Sequence, residues 1–124
     1  MAWRVLIADD EPNIVMSLEF LMQQSGYEVR VARTGEEALA VIDAFQPDLV
    51  LLDVMMPRKN GYEVLQAIRG DPARRATKVV LLTAKGRDVD MEKGLGLGAD
   101  AYVTKPFATR DLVARVKALL VETT

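Results

Sequence analysis

The sequence contains no cysteine and no histidine. The first absence removes disulfides, thiolate nucleophiles and thiolate zinc sites, and leaves the compartment unreadable from thiol usage. The second removes catalytic triads, imidazole bases and histidine-ligated metals. Whatever chemistry exists must use Asp, Glu, Lys, Thr, Ser or Tyr. A dominant charge is also missing: the net charge is −2 and no basic run exceeds the two residues of Arg74-Arg75. That argues against nucleic-acid binding by simple electrostatics. No apolar stretch reaches the ~18 residues of a membrane span, and no basic segment leads into a long apolar one at the N-terminus. These features predict a soluble, cytoplasmic protein without membrane contact. What is present is 124 residues, half of them hydrophobic, enough for one domain over residues 1–124 with a single unstapled core.

The chain alternates strand and helix signals. Arg4-Val5-Leu6-Ile7-Ala8 reads as a strand running into Asp9-Asp10-Glu11-Pro12. Pro12 suits the first turn of a helix, whose positive end favours the acids before it. Ile14, Leu18, Leu21 and Met22 repeat at helical spacing until Gly26 stops the helix. Tyr27 to Val31 alternates as a strand. Thr34-Gly-Glu-Glu37 reads as a capping box before a helix with Leu39, Ile42 and Phe45 inward. Leu49-Val50-Leu51-Leu52 is a continuous aliphatic run ending at Asp53, the pattern of a strand buried on both faces. A turn-rich loop follows, then a helix over about Tyr62 to Ile68 that Gly70-Asp71-Pro72 breaks. Lys78 to Thr83 is a second fully apolar strand. A weaker helix is expected over Asp88 to Leu97, a last strand at Ala101 to Thr104, and a final helix from Thr109 to Val121 carrying Leu112, Val116, Leu119 and Leu120. Five β/α units imply a parallel sheet with right-handed crossovers and helices on both faces.

Gly94-Leu-Gly96-Leu-Gly98-Ala99 satisfies the permissive dinucleotide pattern. That chemistry needs the glycines after a strand and opening a helix, where amides meet a pyrophosphate. Here they close a helix and precede a strand. Their structural reading is a soft helix, since each interior glycine weakens a helix by about 1 kcal/mol relative to Ala.

Ligands of open α/β sheets gather beyond the carboxyl ends of the strands. If Asp9, Asp10, Asp53, Thr83 and Lys105 all stand at that edge, they share one pocket. Carboxylates so crowded need a cation, and an oxygen-only donor set suits Mg²⁺ (or Mn²⁺) better than zinc or copper. Lys105 adds a point charge and Thr83 a hydroxyl donor. A carboxylate nucleophile beside these groups is equipped to accept a phosphoryl group. Such an Asp is already ionised at neutral pH, so the missing histidine is no obstacle.

At these residues the sequence resembles the receiver domains of two-component response regulators, over essentially the whole chain. Asp9-Asp10 is similar to the family's acidic pair, Asp53 to its phosphoacceptor, followed by Pro57 and Gly61. Thr83-Ala84 is similar to the switch hydroxyl and its small neighbour. Gly98-Ala-Asp-Ala-Tyr-Val-Thr-Lys-Pro-Phe107 resembles the family's segment with the switch aromatic Tyr102 and the lysine Lys105. The resemblance implies a flavodoxin-like sheet of order 2-1-3-4-5, an order the family shares with flavodoxin. It implies a metal held by Asp10, Asp53 and the backbone carbonyl of Met55, with Asp9 acting mainly through water, and a cis Lys105-Pro106 bond. The donor would be a phosphorylated histidine on a sensor kinase or phosphotransfer protein. The chain would catalyse its own phosphorylation and slow dephosphorylation, with no turnover on external substrates. Thr83 and Tyr102 would then move, reshaping the surface of the fourth helix, fifth strand and fifth helix for a downstream effector, as a monomer or a phosphorylation-dependent dimer.

Three positions depart from the family. Met55 and Lys85 carry no carboxylate or carboxamide to position an attacking water, which predicts a long-lived acyl phosphate. Ala108 stands where a capping Ser is usual, so Thr109 is expected to cap the last helix. Met16 and Phe20 lie opposite Leu18 and are expected, with Ile14, either to form a partner surface or to contact the fifth helix. Other classes fit less well. A flavin or nucleotide binder needs a Gly/Ser/Thr-rich phosphate loop where Asp9-Asp10-Glu11 stands, and a dehalogenase-type phosphatase resembles D-x-D where this chain has Asp53-Val54-Met55. A non-catalytic receiver-like interaction module would have lost one of the five site residues, and none is lost.

Overall fold

The computed structural model describes residues 2–84 and 88–122, with the side chains of 88–91 and 122 outside that description. Strands β1 (Arg4–Ala8), β2 (Glu28–Ala32), β3 (Leu49–Asp53), β4 (Lys78–Ala84) and β5 (Ala101–Lys105) alternate with helices α1 (Pro12–Gln24), α2 (Gly35–Phe45), α3 (Gly61–Arg69), α4 (Asp88–Gly96) and α5 (Thr109–Glu122). A single 3-10 turn covers Pro72–Arg74 after α3. The strands pair in parallel in the order β2-β1-β3-β4-β5, the expected flavodoxin-like arrangement.

Burial follows strand position. All of β3 is buried, and so are the aliphatic stretches of its neighbours β1 and β4. A strand covered by helices on both faces must be apolar on both, which explains these unbroken runs. The edge strand β2 instead alternates between exposed and half-buried residues before it ends on buried Ala32. Successive side chains point to opposite faces, so the sheet feeds two cores. Leu6, Val50, Leu52, Val79 and Leu81 pack with Ala38, Ile42, Val64, Leu65 and Ile68 of α2 and α3. Val5, Ile7, Leu49, Leu51, Val80 and Leu82 pack with Val15, Leu18 and Met22 of α1 and Leu112, Val116 and Leu120 of α5. Ile14, Leu21, Leu39 and Leu119, read as inward, are only partly buried, while Val15 and Ala38 take fully buried places beside them.

Local chemistry sets the helix starts. Thr34 Oγ1 accepts the Glu37 N–H at 3.0 Å, which is one half of the expected capping box. A full capping box, unrecognised in the sequence, opens α3: Asn60 Oδ1 accepts the Glu63 N–H at 3.1 Å and Glu63 returns the bond to the Asn60 N–H at 3.1 Å. The expectation for α5 is corrected. The helix already includes Thr109, so Ala108 occupies the cap position, where its carbonyl accepts the Leu112 N–H at 3.1 Å and its methyl side chain caps nothing.

Gly94 has a packing role. It is buried, and a β-carbon there would collide with Leu81 Cδ1 of β4. The glycine that lowers helix propensity is the one that lets α4 lie close against the sheet.

Candidate functional site

The parallel register brings the polar strand ends to one edge. Ala8 pairs with Leu52, Asp53 with Leu82, and Ala84 with Lys105. Asp9 therefore emerges from β1 beside the end of β3, Thr83 from β4, and Lys105 from the end of β5. Asp9, Asp53 and Thr83 are buried, whereas Asp10 is exposed at the rim.

Lys105 is the electrostatic centre. Its Nζ lies 2.8 Å from Asp9 Oδ2, 2.9 Å from Glu11 Oε1 and 3.4 Å from Asp53 Oδ2. Backbone amides hold two of the carboxylates in place: the Glu11 N–H donates to Asp9 Oδ1 at 2.9 Å and the Met55 N–H to Asp53 Oδ1 at 3.2 Å. Gly61 packs so closely on the Asp53 carbonyl that a β-carbon would overlap it, and its N–H donates to the Val54 carbonyl at 2.9 Å. Only glycine lets the loop after β3 fold back this tightly. The same loop crosses the start of α2, where the carbonyls of Pro57 and Arg58 accept the N–H groups of Gly35 and Glu36 at 3.3 and 3.1 Å.

Burial, with the Asp9 carboxylate beside it, pushes Asp53 from its ordinary 3.8 up to about 7, against the opposing pull of the Lys105 ammonium and the Met55 N–H. Burial works against the Lys105 ammonium as well. Hydrogen bonds to Asp9 and Glu11 and the charges of Asp53 and Asp9 outweigh it, holding Lys105 above its usual range. A carboxylate that resists ionisation beside two more acids is what a bound cation would relieve. Asp9, Asp10 and Asp53 each bring a carboxylate oxygen within 4.8 Å of the others. The donor set is oxygen only, so the residues fit a hard divalent ion.

The other expected residues sit farther out. Tyr102 pairs with Leu81, half-buried against the α2/α3 core, and its carbonyl accepts from Arg115 at 2.9 Å. The Met55 side chain is exposed. Met16 and Phe20 on α1 are 69% and 62% exposed, so α5 does not cover them, while Ile14 is half-buried in the α1/α5 core. The Lys105-Pro106 bond is cis. The expectation for Lys85 falls outside the described residues. Sequence reasoning missed Glu11, which it read only as an acid favouring the helix start; the signal available was a third consecutive acid at a strand end. Among the described residues no helix is long and apolar enough to cross a membrane.

Comparison with known proteins places this arrangement. The family model of the response regulator receiver domain matches residues 5–117. A response regulator from Chloroflexus aurantiacus J-10-fl is 36% identical with a TM-score of 0.93, over 98% of this chain and 99% of that one. The BeF3-activated receiver domain of DrrB is 40% identical with a TM-score of 0.88, again over 98% and 99% of the two chains. A CheY-like receiver domain protein from Methanospirillum hungatei JF-1 is 33% identical with a TM-score of 0.92, over 99% of this chain and 97% of that one.

Proposed function

The chain belongs to the response regulator receiver domains of two-component signalling, and from that premise we propose that Asp53 takes a phosphoryl group from a phosphorylated histidine of a sensor kinase or phosphotransfer protein. The observation that carries this reading is the clustering of Asp9, Asp10 and Asp53 at the carboxyl edge of the sheet, with Lys105 against Asp9 and Asp53. One Asp53 carboxylate oxygen forms the new O–P bond as the donor's N–P bond breaks, and the imidazole leaves with that electron pair. The expectation of an Asp already ionised at neutral pH is corrected, since burial raises Asp53 to about 7; a bound cation would favour the ionised carboxylate, which then attacks without a base. Asp10, Asp53 and the Met55 carbonyl would hold Mg²⁺ or Mn²⁺, with Asp9 acting through water. When bound, the cation would supply positive charge against the phosphoryl oxygens. Lys105 neutralises a further phosphoryl oxygen, and the Thr83 hydroxyl donates to another.

The added charge is the signal. Thr83 moves toward the acyl phosphate, Tyr102 turns inward into the vacated space, and the α4-β5-α5 surface changes shape for an effector, with the chain acting as a monomer or as a phosphorylation-dependent dimer in the cytoplasm. Exposed Met16 and Phe20, with the outer edge of Ile14, form the surface on which the phosphodonor protein docks. Incubation with acetyl phosphate and Mg²⁺ tests the core of this reading. The wild-type chain should gain one phosphoryl group and Asp53→Ala none; label persisting in the variant would sink the assignment.

A further inference from the structure

Glu11 occupies the N-cap of α1, yet its side chain makes no capping hydrogen bond. Thr34 and Asn60, at the caps of α2 and α3, both do. Instead, Glu11 Oε1 accepts from Lys105 Nζ at 2.9 Å, joining the start of α1 to the end of β5. An ammonium offers three protons. In this arrangement the two short contacts go to Asp9 and Glu11, and the longest, 3.4 Å, goes to Asp53. The lysine is thus held closer to Asp9 and Glu11 than to the residue whose phosphoryl group it would neutralise.

The two short contacts differ in how easily they can be given up. The Asp9 side chain is fully buried, so losing Lys105 would strand a charge without water. The Glu11 side chain is 58% exposed, and water replaces the ammonium there at small cost. We infer that Glu11 is a positioning residue, a releasable tether that holds Lys105 away from Asp53 at rest and yields it when a phosphoryl group arrives. This rests on the receiver reading. It makes Glu11 a brake on activation, since every phosphorylation must first break the Glu11–Lys105 contact.

The test uses beryllofluoride with Mg²⁺ as a phosphoryl mimic, its affinity measured by calorimetry on the wild-type chain, Glu11→Ala and Glu11→Asp. Glu11→Ala removes both charge and reach; Glu11→Asp keeps the charge but shortens the arm. Both should bind the mimic about two- to fivefold more tightly than wild type, the worth of one exposed ion pair. Tightening in Glu11→Ala alone would mean simple charge repulsion and overturn the tether, as would any other pattern, including no change in either. Failure of the wild-type chain to bind the mimic at all would overturn the receiver reading, and the tether with it. Thermal unfolding of the variants separates these outcomes from misfolding, and position 11 is exposed enough for both to fold.

Discussion

Asp53 is the place where the fold holds a charge at a cost, so Asp53→Asn should make the metal-free protein more stable. Burial and the neighbouring Asp9 raise Asp53 from 3.8 in the unfolded chain to about 7 in the fold. The folded state therefore binds this proton more tightly than the unfolded state does. The resulting stability is fully present below pH 3.8 and is lost as pH rises through about 7. At about 1.4 kcal/mol for each tenfold change in proton affinity, the ionised carboxylate lowers stability by on the order of 4 kcal/mol above neutrality. Lys105, held above its usual range, stays charged throughout and adds no slope. The absence of histidine makes the measurement clean, because no imidazole titrates in the same window. Urea unfolding in EDTA between about pH 5 and about pH 8 should show the wild-type chain losing stability. Asp53→Asn should stay nearly flat, the gap reaching several kcal/mol at the alkaline end. Added Mg²⁺ should stabilise the wild type most where Asp53 is ionised. A wild-type profile that is level or rises with pH, or an Asp53→Asn chain no more stable at the alkaline end, would refute the reasoning.

Other perturbations act on different parts of the molecule. With Met55 in place the acyl phosphate should be long-lived, and Met55→Asn, which supplies a carboxamide beside Asp53, should speed its loss tenfold or more, toward what a positioned group contributes to catalysis; equal decay of the two would remove the basis. Phe20→Asp should cut phosphotransfer from a histidine kinase that labels the wild-type chain by about tenfold, as loss of an aromatic anchor does, while leaving labelling by acetyl phosphate unchanged. A parallel fall in both would assign Phe20 to the fold instead of to a docking surface. Gly94→Ala should gain about 1 kcal/mol of helix propensity yet lower stability overall, because its new methyl meets buried Leu81 and overpacking typically costs about 1–3 kcal/mol; a more stable variant in a denaturant titration would contradict the packing argument.

The architecture was legible because it rests on short-range patterns. Leu49 to Leu52 has the pattern of a strand covered on both faces, and parallel alternation then sends Asp9, Asp53, Thr83 and Lys105 to one edge. What escaped the sequence depends on distances between segments. Gly94 reads as a flaw in a helix until Leu81 is seen beneath it. Thr109 reads as a cap until the helix is found to include it. Asn60 and Glu63 formed a visible capping pattern, overlooked because the helix was read from Tyr62.

Glu11 is the instructive case. Next to Pro12, its charge suits the positive end of α1, a sufficient local explanation that hides its partner on β5. With that partner in view, the site's electrostatics take a different form. Three carboxylates, those of Asp9, Glu11 and Asp53, share the ammonium of Lys105, and Asp10 stands close to Asp9 and Asp53. Burial first, and the Asp9 charge second, raise the proton affinity of Asp53; the fit to a divalent cation and the shared lysine follow from the same crowding of acids at the sheet edge. A phosphoryl group on Asp53, as proposed, would add further negative charge to that edge. A bound cation and a Lys105 released from Glu11 would each offset that charge, so both would favour the phosphorylated state.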